Sequence, residues 1–353
     1  MKRIYFIIGF LACSMLSFAQ LKTVPLSKVK DPSQGLIYAL PKTKIIIEVK
    51  TRQIQETPGI YFPYAERYLG LKSVCQSENV RYEIVGINIT TKAIPDPLNT
   101  FLITAGKAKK TSSIELTPEG FLKSINRDPE IKKPCECTIN QAEKPCGTQN
   151  YQTQESSIIT QEMQQSSSTA KMAELAATQI FNLRESRINL LTLGQDNNPT
   201  DGRSYEIVLS ELNRMEKYYT ELFTGKRLEK TEVTTFEYDP QKSGEEILFR
   251  FSQLKGVVDK TDLGGNPVSI NIQKTTGIQT NLVNVPVVNS EKESSVYYRL
   301  PAKAQIKITD GVTMLYNKDI DIAQFGRVMA LPATTTTSAE FCPLTGAITY
   351  FGK

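Results

Sequence analysis

Histidine and tryptophan do not occur in this chain, so any chemistry falls to cysteine, paired carboxylates and tyrosine. Without His there is no Ser-His-Asp or Cys-His machinery, no imidazole base and no His-ligated metal. Without Trp the strongest stacking surface for sugars or cations is missing, although 15 tyrosines remain. Acid–base work would rest on carboxylate pairs, as in glycosidases. Glu245-Glu246, Asp259 with Asp262, and Asp319 with Asp321 are the nearest in sequence. All sit in polar, turn-like stretches where acidic residues are ordinarily just solvated, so no catalytic residue is assigned. No Ser-x-x-Lys stands in a nucleophile-helix context. Gly264-Gly265-Asn266-Pro267 is a turn and not a phosphate loop, because neither a helix start nor Gly-Lys-Ser/Thr follows. No cofactor is expected.

Two further groups bear on metals. Asp196-Asn197-Asn198-Pro199-Thr200-Asp201-Gly202 resembles a calcium loop, but an EF-hand needs Gly where Asp201 stands. An interhelical turn with Thr200 or Asp201 as a cap is the simpler reading. Cys135-Glu136-Cys137 followed by Cys146 fits no zinc spacing. Cys135, Cys137 and Cys146 are instead the candidates for a local disulfide that staples a loop, if the chain is exported to an oxidising compartment. No metal site is assigned.

Export is what the N-terminus predicts. Met1-Lys2-Arg3 is a basic start, Ile4–Phe18 is apolar, and Ser17-Phe18-Ala19 places small residues for signal peptidase. The apolar run is shorter than the ~20 residues of a bilayer span. Phe10-Leu11-Ala12-Cys13 has a lipobox flavour, but the chain stays apolar after Cys13, so a lipid anchor there is the weaker reading. No later segment reads as a membrane helix. Removing Lys2 and Arg3 with the leader lowers the formal charge from +5 to +3, too mild and too scattered for nucleic acid. The densest basic group, Lys107, Lys109 and Lys110, reads as a loop between strands.

The elements that would position these residues follow from periodicity. After the signal peptide (1–19) and an N-terminal linker (20–35), residues 36–126 alternate as a β-rich domain. Leu36–Leu40 and the alternation around Ile45, Ile47 and Val49 read as two strands separated at Pro41. Glu83–Ile89 reads as a strand closed by Pro95-Asp96-Pro97, and Phe101–Ile103, Ile114–Leu116 and Phe121–Ile125 as later strands. Tyr61–Leu71 carries a short helical signal. Residues 127–169 hold the cysteines and a Gln/Ser/Thr-rich linker. Residues 170–225 predict an αα-hairpin of Lys171–Leu193 and Ser204–Phe223, stopped by Gly225. In the second helix Tyr205, Val208, Leu209, Leu212, Met215, Tyr219, Leu222 and Phe223 form one apolar stripe, read as core. Residues 226–353 are β-rich again. The fold class is therefore α+β, predominantly β: two β-rich, sandwich-like domains with an inserted αα-hairpin.

One echo links the β-rich stretches. Tyr38-Ala39-Leu40-Pro41 followed by Ile46 returns as Tyr298-Arg299-Leu300-Pro301 followed by Ile306. Each stretch also ends on a Pro/Gly hairpin, Pro118–Leu122 and Pro343–Ile348.

Several ordered motifs carry a family resemblance: Pro58-Gly59-Ile60-Tyr61 with Tyr64-Ala65-Glu66-Arg67-Tyr68-Leu69-Gly70, Pro199–Gly202, Glu221-Leu222-Phe223-Thr224-Gly225, Phe249-Arg250-Phe251-Ser252 and Tyr298–Pro301. Together, from Leu36 to Phe351, they resemble an uncharacterised, domain-of-unknown-function family of secreted cell-envelope proteins of the Bacteroidota. The resemblance implies an envelope location and supplies no functional residues. The expectation is an exported protein, periplasmic or outer-membrane-associated, that binds or scaffolds an envelope protein partner. The rival readings are a carboxylate hydrolase of envelope glycans and a surface glycan-binding or adhesion module.

Overall fold

The computed structural model describes residues 22–30, 34–104, 113–127, 160–192, 202–275, 295–311, 313–333 and 336–352. In chain order the first strands are β1 (Lys22–Pro25), β2 (Leu36–Thr57), β3 (Asn79–Thr104), β4 (Ile114–Leu116) and β5 (Leu122–Ile125). Helices α1 (Ala65–Leu69), α2 (Gln161–Gln165), α3 (Thr169–Thr192) and α4 (Gly202–Thr224) make up the helical part. Strands β6 (Lys226–Tyr238), β7 (Gly244–Ser252), β8 (Gly256–Val258) and β9 (Asn266–Lys274) follow. The chain closes with β10 (Ser295–Asp310), β11 (Thr313–Pro332), β12 (Ser338–Phe341) and β13 (Ile348–Gly352).

Two long hairpins, β2–β3 and β10–β11, organise the molecule. In β2 the residues Ile45, Ile47 and Val49 are fully buried, while Lys44, Ile46 and Glu48 are half-buried on the opposite face. The same alternation continues through Pro41, so one 22-residue strand replaces the two expected. At 3.3 Å per residue it reaches up to about 70 Å. Pro41 is accommodated because it falls beside a register shift between Ala39 and Pro41, where a missing N–H disrupts no regular ladder. The strand β3 likewise runs through Pro95-Asp96-Pro97, expected to end it. Its pairing jumps from Thr100, opposite Ala39, to Pro95, opposite Pro41, and residues 96–99 loop out between.

The second hairpin repeats the device. Arg327 faces Leu300, Ile322 faces Ala302, and residues 323–326 loop out. The echo extends to the closing turns. The Ala39 N–H donates to the Gly120 carbonyl (3.0 Å), and the Arg299 N–H to the Gly346 carbonyl (3.2 Å). Both glycines are left-handed, with φ of 84° and 77°. Each central strand is flanked on both sides: β2 by β3 and β6, β10 by β11 and β9. The sequence echo is thus a structural duplication of hairpin plus closing turn.

Three antiparallel sheets result, ordered β1-β3-β2-β6, β11-β10-β9-β7-β8 and β13-β12-β5-β4. The fold is predominantly β, as the sequence predicts, and its two β-rich stretches interlock. Strand β6 pairs along β2 from Ile45↔Tyr238 to Thr57↔Lys226, and β12 pairs with β5. One core packs Ile45, Ile47 and Val49 against Phe249, Ile270, Ile306 and Ile322. Another packs Tyr38, Phe101 and Ile125 against Val296, Tyr298, Leu331 and Phe341. Sheet pairing and both cores therefore cross the line between 36–126 and 226–353.

Within the expected linker of 127–169, residues 160–169 are described and belong to the helical part. Thr160 caps α2 by accepting the Met163 N–H, and Met163 is buried against the helical hairpin. One apolar side chain with a cap is enough to order this end. Residues 1–19 with Cys13, the loop of Lys107, Lys109 and Lys110, the cysteines Cys135, Cys137 and Cys146, and the turn Asp196–Asp201 lie outside the described residues.

Candidate functional site

The helical hairpin is seated on the far end of β2, and the seat is built from backbone contact. Past Thr57 the chain turns at Pro58-Gly59, and the Tyr61 N–H donates to the Leu222 carbonyl at 2.7 Å. A Cβ on Gly59 would run into that same carbonyl, and one on Gly225 would run into the Thr57 carbonyl. Gly225 also adopts φ 87°, the left-handed stop that ends α4. Around this seat Tyr61, Ala65, Ala173, Ala176, Ala177, Ile180, Tyr219 and Phe223 form a third core. The Tyr61 and Phe223 rings lie 5.6 Å apart. The alanines of α3 let the helices approach closely. Burial, and then the neighbouring Tyr218, raise the Tyr61 hydroxyl above the usual phenol range, so it stays neutral at physiological pH. Two motifs of the family resemblance, Pro58–Gly70 and Glu221–Gly225, therefore meet at one junction.

Beyond that junction the hairpin leaves the core. Of the stripe expected to be buried, only Tyr219 and Phe223 are; Tyr205, Leu209, Leu212, Met215 and Leu222 are half-buried, and Val208 is exposed. The reason is geometric: two helices can cover each other along one seam only, and the distal turns find no third layer among the described residues. Phe181, Ile188, Leu191, Ile207 and Val208 keep 51, 56, 61, 59 and 40% of their surface. Arg184 and Arg187 of α3 clamp Glu216 of α4 at 2.7 and 2.6 Å, which fixes the pair midway. The same helices expose charges of both signs, Glu185, Arg203, Glu206 and Glu211.

At the other end the two hairpins cross, and a buried ion pair ties them. Arg299 donates to Asp96 and, at 3.0 Å, to the Pro41 carbonyl. Both partners are almost fully buried. Burial pushes the Asp96 carboxyl up, but hydrogen bonds from Asn99, Arg299 and the Leu98 N–H, with the Arg299 charge, outweigh it and hold it below the ordinary range. The reciprocal contact comes from the other looped-out segment. Gln324 donates to the Thr43 carbonyl (2.8 Å) and accepts its N–H (2.8 Å), while the Ala323 N–H donates to the Thr43 hydroxyl (2.9 Å). The Tyr38 hydroxyl accepts the Tyr297 N–H and donates to the Tyr297 carbonyl (2.9 and 3.1 Å). A void at this crossing, lined by Ala39, Leu40, Leu122, Tyr298 and Phe341, has room for no more than a water molecule.

The carboxylate pairs resolve into local structure. Asp259 accepts from the Thr261 N–H and hydroxyl, and Asp262 from the Gly264 N–H and Lys255, so both stabilise one turn. Those bonds hold both carboxyls below their ordinary range. Glu245 accepts from Ser269, and Asp319 and Asp321 stand on β11 opposite Gln305 and Lys303. Cys75 donates its thiol to the Ser77 carbonyl, and Cys342 is buried in the turn between β12 and β13. Among the described residues no group of three His, Cys, Asp or Glu could hold a metal ion, and no helix is long and apolar enough to cross a membrane. What sequence reasoning missed is the exposed distal hairpin. Its signal was available: a two-helix stripe longer than the surrounding chain could cover.

Interlocked, duplicated β-hairpins carrying a helical pair define a predominantly antiparallel β protein whose distal helical hairpin leaves large apolar side chains exposed. The chain belongs to a family described as a domain of unknown function (DUF4831), whose model matches residues 34–349. No curated protein and no solved structure matches it.

Proposed function

We propose that the protein is exported to the cell envelope, periplasmic or outer-membrane-associated as in secreted Bacteroidota proteins, and that it binds or scaffolds a protein partner there through the distal half of α3–α4. The exposed aliphatic and aromatic residues of that hairpin carry the reading, because large apolar side chains exposed together on one element are a feature of interaction sites. A protein fits this surface better than a lipid one. The exposed charges Glu185, Arg203, Glu206 and Glu211 on these helices are mostly acidic, whereas a membrane-binding helix presents a basic face beside its apolar one. Leu191 and Ile207 lie near facing ends of the two helices, and an amphipathic partner helix is the kind of occupant such a helical pair would take.

A crosslinked pull-down of the tagged protein from fractionated envelope tests this. The wild type should recover a discrete partner, and Ile188→Glu/Leu191→Glu, folded by circular dichroism, should lose it. Recovery of the same partner by the variant, or a wild type free in the soluble fraction, would overturn the reading. Retention on envelope glycan without protein would support the glycan-binding alternative through half-buried tyrosines such as Tyr64 and Tyr68.

A further inference from the structure

The strand β6 is the outer strand of the first sheet, 13 residues long, and its residues Lys226–Val233 are exposed throughout. It pairs with β2 from Lys226 to Tyr238 with no register shift and contains neither Pro nor Gly. Its outer edge carries no strand among the described residues. Proteins usually blunt such an edge with a bulge, a proline, an inward charge or charged side chains, lysine above all. Strand β6 has no bulge and no proline and depends on charge alone. After Lys226 and Arg227 its charges alternate in sign: Glu229, Lys230 and Glu232.

That alternation is self-complementary. Two copies of one strand pairing antiparallel must match residues of the same parity, so that outward backbone groups face outward backbone groups. Among those registers, the one centred on Thr231 sets Lys230 against Glu232 twice and opposes no like charges. Centring on Glu229 or Glu232 opposes that residue to its own copy, centring on Lys230 does the same for lysine, and centring on Leu228 sets Lys226 against Lys230. The register at Thr231 also aligns Arg227 with Thr235, so pairing extends over most of the strand.

We propose that β6 is a dimerisation edge, which a second copy of this chain joins antiparallel about a two-fold axis at Thr231, with Lys230 of each copy opposite Glu232 of the other. The first sheets of two molecules then become one continuous sheet. Within one chain Lys230 already bonds Glu232 at 2.6 Å and Arg227 bonds Glu229 at 2.9 Å. Both pairs are solvent-exposed, so sharing them with a neighbour disturbs little. This inference is independent of the hairpin surface, which lies on other elements.

Sedimentation equilibrium of the purified chain over the micromolar range, with Lys230→Glu, Glu232→Lys and the double exchange, tests it. The wild type should dimerise. Each single variant opposes like charges twice and should weaken dimerisation by at least about tenfold. The double exchange should restore the homodimer, and an equimolar mixture of the two single variants should form a heterodimer. Both positions are on the surface, and far-UV circular dichroism checks that each variant is folded. A wild type that stays monomeric, including one whose edge is taken by a different protein, overturns the proposal. So does a single variant that dimerises as tightly as the wild type, or a folded double exchange that does not recover.

Discussion

Arg299 joins the two hairpins through one side chain, and its partner Asp96 lies on a looped-out segment of the other hairpin. Buried ion pairs add little net stability when compared with apolar replacements, but breaking one leaves a charge without compensation. Asp96→Asn should therefore cost about 3–5 kcal/mol at neutral pH, read by chemical denaturation. The pH dependence has a definite sign. The Asp96 carboxyl is held below its ordinary value in the folded state, so its contribution is present above the unfolded pKa of about 3.9 and is lost as pH falls through the folded value. The stability gap between wild type and Asp96→Asn should hold at neutral pH and narrow progressively below about pH 4. A gap that stays constant to low pH would show that Asp96 is not ionised in the fold. At this scale the sequence was half legible. Tyr298-Arg299-Leu300-Pro301 stood out as an echo, but its ion-pair partner is a distant residue inside Pro95-Asp96-Pro97, which local pattern marks only as a strand end.

The elements were read well where a pattern belongs to one element and badly where another element overrides it. The helices α3 and α4 matched within two residues at their ends, because stripe and glycine stop are local signals. The prolines of β2 and β3 mark strand ends by local pattern, but a register shift, set by pairing between strands, lets Pro persist inside a long strand. The stripe of α4 predicted core along its full length, whereas burial depends on what else reaches it. The hairpin seat is legible in hindsight as two glycine-bearing motifs, Pro58-Gly59 and Thr224-Gly225, distant in sequence. Gly59→Ala should strain this seat and destabilise the protein by roughly 1–3 kcal/mol, since its Cβ meets backbone that cannot swing aside. Amide hydrogen exchange should rise in α3 and α4 more than in β9 and β10. Uniform change across the molecule, or none, would contradict the seat.

For the whole molecule, the duplication explains why two β-rich stretches do not become two separate bodies. Each long hairpin leaves a central-strand edge open. The edge of β2 is covered by β6 from the second stretch, while the third sheet takes one hairpin from each. Crossing contacts at Arg299–Asp96 and Thr43–Gln324 then lock the halves. A body fixed in this way leaves Phe181, Ile188, Leu191 and Ile207 of the distal hairpin exposed together on one helical pair, and the proposal of partner binding rests on them. The absence of His and Trp, read first as a gap in catalytic chemistry, is consistent with a surface of aliphatic side chains, tyrosines and mixed charges.

The most direct measurement is site-specific photo-crosslinking in cells, with a photoreactive residue at Leu191 and, as control, at exposed Lys303 on β10. Leu191 should give a discrete adduct of the protein with a partner, and Lys303 none. No adduct at Leu191, or the same adducts from both positions, would contradict partner binding by this hairpin.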